Sequence, residues 1–127
     1  KKELLPYVRF LKTDAAEAEI LTGFTDRAEA ARQLYQWGAK EILITHNTEV
    51  LVYDGREIYT CPIRARNLSG RTGRGDTTFA GYINERLTAD IPTALRFATA
   101  LVSLKMETPG PFTGTRADVD AYLKEFY

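Results

Sequence analysis

Ile42-Leu43-Ile44 is an unbroken apolar run, and it begins a few residues after Gly38 closes a helical pattern. A run without polar alternation suits a strand covered on both faces. The helix before it opens at Thr25-Asp26, where Asp26 and Glu29 have the spacing of a capping box. Ala31, Leu34 and Trp37 then form its apolar stripe. A helix followed so closely by a two-face strand confines the chain to an α/β domain with a mainly parallel sheet. Upstream, Val8-Arg9-Phe10-Leu11 reads as a strand ending at Lys12-Thr13. Asp14 caps a helix from Ala15 to Leu21, which Gly23 stops.

Downstream, Val50 to Tyr53 and Ile58 to Cys61 flank Asp54-Gly55. Asp-Gly between two β-rich runs predicts a hairpin with a tight turn at positive φ, forming an antiparallel edge. Asn67 to Gly75 is a loop by composition. The next helix is expected from about Asp76, with Phe79, Ile83 and Leu87 on one face. Pro92 suits the first turn of another helix, whose Leu95, Ala98, Leu101 or Val102, and Leu104 face the core. Thr108 to Gly114 is rich in Pro and Gly and reads as irregular. Thr115 with Asp118 caps a last helix through Val119, Tyr122 and Leu123.

The 127 residues carry no internal repeat or linker and read as one domain, 1–127. Seventeen basic side chains balance seventeen acidic ones, so no net field favours nucleic acid or an anionic membrane as partner. No apolar run approaches the roughly 20 residues of a membrane-spanning helix. The single Cys61 forms no internal disulfide. A cytoplasmic protein is the expectation. The chain opens Lys1-Lys2-Glu3 without Met, as a fragment of a longer protein would.

The chemistry concentrates in Gly70-Arg71-Thr72-Gly73-Arg74-Gly75-Asp76. Glycines just before a helix let backbone N–H groups converge on an anion, and the helix N-terminus adds partial positive charge. Arg71 and Arg74 bring cations to where phosphate oxygens would sit. A P-loop requires Lys at the position of Asp76, where a carboxylate repels the β- and γ-phosphates. The same carboxylate makes sense as a base, since phosphoryl transfer to an alcohol needs a proton acceptor beside the attacking hydroxyl. Alternatively, Asp76 only charges the first helical turn.

Thr72-Gly73-Arg74-Gly75-Asp76 followed by Phe79-Ala80-Gly81-Tyr82 resembles the second signature of the PfkB, or ribokinase-like, sugar kinase family, D-T-x-G-A-G-D with an aromatic and A-G after it. Gly70 stands where the family has its first Asp, and Arg74 where it has Ala. The resemblance implies the C-terminal, nucleotide-binding part of a ribokinase-like three-layer α/β fold. Asp76 is then the general base, and the backbone of Gly73, Arg74 and Gly75 is the anion hole for the γ-phosphate. Asp14-Ala15-Ala16-Glu17 resembles the family's N-x-x-E segment. This implies that Glu17, with Asp14 in the Asn position, organises Mg²⁺ indirectly through water, although Asp-x-x-Glu is also an ordinary capping box.

Thr45 occupies the place of a strand-end Thr-x-Gly near the nucleotide, with Asn47 replacing that Gly and Val50 a second one. Arg71 and Thr72 are implied nucleotide contacts, and Gly110 of Thr108-Pro109-Gly110 matches the late loop that passes the adenine. His46 reads as a surface or strand-end residue, since a second histidine or clustered cysteines would be needed for a zinc site.

The activity so implied transfers the γ-phosphate of MgATP to a hydroxyl of a sugar or related small molecule. The sugar-binding half expected of the family is not matched, so the chain by itself is expected to have little or no activity. The rivals are a non-catalytic nucleotide-binding or regulatory module of the same fold, and a structural or oligomerisation domain whose glycines are only turns. A homodimer is an open alternative, since uncovered apolar surface favours self-association.

Overall fold

The computed structural model of the chain describes residues 9–46, 48–64, 74–107 and 114–127, with side chains described from 77 onward in the third segment. The chain divides into two compact units, Lys1–Thr60 and Cys61–Tyr127.

The first unit runs β1 (Phe10–Asp14), α1 (Ala15–Thr22), α2 (Arg27–Gln36), β2 (Glu41–Thr45), β3 (Glu49–Tyr53) and then β4 (Ile58–Pro62), whose last two residues belong to the second unit. The strands form one sheet in the order β1-β2-β3-β4. β1 and β2 are parallel, from Phe10 opposite Glu41 to Asp14 opposite Thr45. β2 and β3 are antiparallel, from Ile42 opposite Tyr53 to Thr45 opposite Val50.

All five residues of β2 are buried, as its unbroken apolar run requires. On the helix side the core consists of Ile42, Ile44 and Leu51 with Ala18, Ala30, Ala31 and Leu34. Alanines on the helical side bring α1 and α2 close to the larger strand residues. Each buried Ile or Leu contributes about 1.5–3 kcal/mol.

Among the described residues the sheet is mixed, with a parallel pair beside an antiparallel edge. A parallel pair needs a crossover of a dozen or more residues. The described chain makes one, through α1 and α2, before passing to β3 by a short turn. That turn is closed by the His46 N–H donating to Glu49 O at 3.0 Å.

The caps fall where the sequence places them. Gly23 ends α1 at φ 81°, and its N–H donates to Glu19 O. Asp26 caps α2 by accepting from Ala28 N at 2.9 Å, while Glu29 pairs with Arg32 instead of completing a box. The β3–β4 connection is longer than a two-residue turn. Asp54 accepts from Arg56 N at 2.8 Å and Glu57 N at 2.9 Å, and Gly55 takes φ 93°. Burial would push the Asp54 carboxyl up, but these N–H bonds together hold it below its usual range.

The second unit holds α3 (Arg74–Arg86), α4 (Ile91–Lys105) and α5 (Arg116–Phe126). Asp90 caps α4 through Thr93 N, with Pro92 in the first turn. Thr115 and Asp118 form the expected capping box on α5. α3 starts two residues before Asp76, and its buried face differs from the apolar face expected. Phe79 and Ile83 are half-buried and Leu87 is 76% exposed, whereas Thr78, Gly81, Tyr82 and Glu85 are buried.

Gly81 explains the rotation. A β-carbon there would lie 2.7 Å from Leu101 Cδ2 and 3.7 Å from the Ala98 backbone, so α4 approaches the helix on the glycine side. Glu85 at the far end meets the Arg116 guanidinium as an ion pair without an aligned hydrogen bond. Gly81→Ala should be nearly neutral, because helix propensity offsets a shift of the Leu101 tip. Gly81→Val presses a branched side chain on Ala98 and should cost about 2 kcal/mol in urea unfolding.

Among the described residues no helix is long and apolar enough to cross a membrane.

Candidate active site

β1 and β2 end side by side at their carboxyl ends, with Asp14 the register partner of Thr45. Ligands of open α/β sheets bind beyond such strand ends, where the chain leaves the sheet. Thr45 is 6% exposed and Thr13 beside Asp14 only 4%, and the Thr13 hydroxyl donates to Asp14 O at 3.2 Å.

Asp14 Oδ1 accepts from Glu17 N at 2.7 Å, and Asp14 N donates to Glu17 Oε1 at 3.2 Å. The Asp-x-x-Glu segment is therefore a formed capping box. The box uses one oxygen of each carboxylate. A carboxylate has further lone pairs, and hard oxygen donors suit Mg²⁺ carrying its own waters, but among the described residues no group of three or more His, Cys, Asp or Glu could hold the ion directly.

Capping and metal organisation separate experimentally. Asp14→Asn and Glu17→Gln preserve the capping geometry and should change stability by less than about 0.5 kcal/mol. If the pair organises Mg²⁺, both should raise the Mg²⁺ concentration needed for half-maximal activity. Activity with unchanged Mg²⁺ dependence would leave the pair with capping alone.

His46 follows Thr45 directly and is a strand-end residue, its Nδ1 2.8 Å from Thr48 Oγ1. Asn47 lies outside the described residues. A groove of about 580 Å³ in the first unit includes Glu19, Asp26, Arg27, His46, Glu49 and Thr60 in its lining, but none of Asp14, Glu17 or Thr45. Arg27 and Glu49 form an ion pair there. Their separation of 22 positions left no local signal in the sequence.

In the second unit, Arg74, Gly75 and Asp76 form the first turn of α3. N–H groups of a first turn lack intrahelical acceptors, and the helix end carries partial positive charge. This backbone can hold an anion. Just behind it, Thr78 and Tyr82 are each 1% exposed, which fixes the helix that presents this turn. Arg71, Thr72 and Gly73, and Gly110 with the rest of 108–113, lie outside the described residues.

One cluster went unread in the sequence. The Arg64 N–H donates to Ser103 Oγ at 3.1 Å and Tyr127 OH at 3.0 Å. The Ser103 hydroxyl itself donates to Thr99 O at 2.7 Å, and the Tyr127 hydroxyl to Pro62 O at 2.6 Å. Burial pushes the Tyr127 phenol above its usual value, so it stays a donor. The Tyr122 hydroxyl lies 2.5 Å from Arg64 O and 3.0 Å from Glu107 Oε2. The sequence marked Tyr122 only as a core position of α5.

The model of the pfkB family of carbohydrate kinases matches residues 1–117. A cytidine kinase of Thermococcus kodakarensis is 38% identical over 85 residues, which is 65% of this chain and 31% of that protein. Among solved structures, a pyrophosphate-dependent kinase in the ribokinase family, complexed with a pyrophosphate analogue and myo-inositol, is similar at TM-score 0.86. It is 41% identical, over 94% of this chain and 43% of that one. Ribokinase of Arabidopsis thaliana, complexed with ribose and ATP, is similar at TM-score 0.88 and 25% identity, over 98% of this chain and 43% of that one. The chain thus spans about a third of the cytidine kinase and less than half of these structures.

Proposed function

The chain belongs to the pfkB family of carbohydrate kinases, and from that premise we propose that it is the nucleotide-binding, catalytic part of an ATP-dependent phosphotransferase. Its acceptor is a hydroxyl of a sugar or related small molecule. The observation that supports this best is the Gly73-Arg74-Gly75-Asp76 sequence running into the first turn of α3. A first helical turn offers N–H groups to an anion, and the sequence puts an acidic residue within that turn.

Asp76 takes the proton of the acceptor hydroxyl as its oxygen bonds to the γ-phosphorus. The bond from that phosphorus to the β-γ bridging oxygen breaks, and the nucleoside diphosphate leaves. N–H groups of Gly73, Arg74 and Gly75 stabilise the equatorial oxygens, worth about 10²–10³ in rate for a single such donor. Glu17 and Asp14 would hold Mg²⁺ through water, and the ion would supply positive charge to offset that of the transferring phosphates. Thr45, Arg71, Thr72 and Gly110 contact the nucleotide.

A second reading concerns the donor alone. The 41%-identical relative is described as pyrophosphate-dependent, and this chain places Arg74 where the family signature has Ala, close to Arg71. A donor without an adenosine to hold gains from extra cations on its phosphates. Under this reading the same Asp76 chemistry runs with inorganic phosphate as the leaving group.

Both readings are tested by giving the natural protein that contains this chain MgATP or magnesium pyrophosphate, with cytidine, ribose and myo-inositol as acceptors. Phosphorus NMR reads the products. Transfer from ATP is the expected result, while transfer from pyrophosphate only would replace the donor and keep the mechanism. A folded protein that transfers from neither would leave a non-catalytic module. The 127 residues alone should show little turnover.

A further inference from the structure

We propose that Tyr122 is a positioning residue for donor binding, because its one hydroxyl ties together the two chain segments that lead into the donor-binding loops. This rests on the kinase reading above, in which residues 71–76 and Gly110 meet the donor. Arg64 lies nine positions before Gly73 in the sequence, and Glu107 three before Gly110. The Tyr122 hydroxyl lies within hydrogen-bond distance of both, 58 and 15 positions away in sequence.

A hydroxyl carries one proton. The shorter contact, 2.5 Å to the Arg64 carbonyl, holds it best, and the Glu107 carboxylate shares it at 3.0 Å. The two segments therefore compete for, and are aligned by, a single donor.

That donor is itself fixed. The Tyr122 ring is 3% exposed. It packs against Phe126 with centroids 4.6 Å apart, within a cluster that includes Phe97, Ala100 and Val119. Arg64 is held from its other side as well, by Ser103 and Tyr127 on its N–H and by Phe126 O on its guanidinium at 2.8 Å. The guanidinium also stands over the Tyr127 ring. With both backbone groups of Arg64 bonded to helix side chains, the point where the chain departs toward Gly73 is set by α4 and α5. Tyr122 is the member of this set that also reaches Glu107.

The test uses the natural protein. Tyr122→Phe keeps the buried ring and removes the hydroxyl. Donor KM should rise about fivefold, the size expected of one net hydrogen bond, with acceptor KM unchanged. Glu107→Ala should act in the same direction, Glu107→Gln, which keeps an acceptor, should recover most of the loss, and the Tyr122→Phe/Glu107→Ala pair should be less than additive.

Amide hydrogen exchange reads the same coupling without catalysis. Tyr122→Phe should speed exchange in 65–73 and 108–113 together, leaving the α4 amides at their original rates. An unchanged donor KM in an active protein, faster exchange in one segment alone, or equal acceleration everywhere overturns the proposal. A protein that transfers no phosphoryl group would instead refute the kinase reading, and the exchange result would still decide whether Tyr122 couples the two segments.

Discussion

Asp76→Asn in the natural protein should slow phosphoryl transfer about 10³-fold, in the middle of the range for loss of a positioned general base, while MgATP still binds. Asn is nearly the same size and keeps a carbonyl oxygen, so the first turn of α3 has no steric reason to change. What disappears is a group able to accept the proton of the attacking hydroxyl. Removing a negative charge near the donor phosphates should, if anything, tighten their binding. Turnover by rapid quench and donor binding by calorimetry separate the two effects. A fall in binding that matches the fall in rate would mean that Asp76 builds the loop rather than taking the proton. An unaltered rate would remove Asp76 from the chemistry and favour a role limited to charging the helix start.

Gly55→Ala should destabilise the first unit by about 1–3 kcal/mol, from two causes that can be measured apart. Gly55 sits at φ 93°, a conformation that costs an L-residue about 1–2 kcal/mol. Its β-carbon would also stand 2.3 Å from Tyr35 Cε2. The Tyr35 ring, 39% exposed, has room to swing away, but doing so gives up its edge contact with Tyr53 at 5.6 Å. In a Tyr35→Ala background, Gly55→Ala should cost only the backbone part, and urea unfolding of the four proteins gives the difference. Equal costs in both backgrounds would show that the ring is no obstacle. The neighbouring Asp54 adds a pH signature. Its folded pKa is depressed, so its contribution is complete above the ordinary aspartate range and is lost as pH falls through the folded value.

How much of this was legible beforehand depended on the distance over which each interaction acts. The caps at Asp14, Asp26 and Thr115 follow from side chains meeting backbone a few positions away, and the stops and turn at Gly23, Gly38 and Gly55 from the positive φ that a residue without a β-carbon adopts. The buried β2 follows from an apolar run that only a covered strand satisfies. The Gly-rich signature was recognisable as a family resemblance because its residues are consecutive, and the pfkB family model matches the chain that contains it.

The buried face of α3 was not readable. Apolar spacing pointed to Phe79, Ile83 and Leu87, but Gly81 admits α4 so closely that Thr78, Tyr82 and Glu85 are covered instead. The parallel register that sets Asp14 beside Thr45, the Arg27–Glu49 pair and the Tyr122 link between Arg64 and Glu107 likewise join residues tens of positions or whole elements apart. The sequence by itself determined the local elements and the family resemblance, because caps, turns, apolar periods and a consecutive signature all act within one or two helical turns. Only the tertiary structure decided which faces meet and which distant groups bond, as Tyr122 does with Arg64 and Glu107, because those contacts depend on how close two backbones can come, and no local pattern encodes that distance.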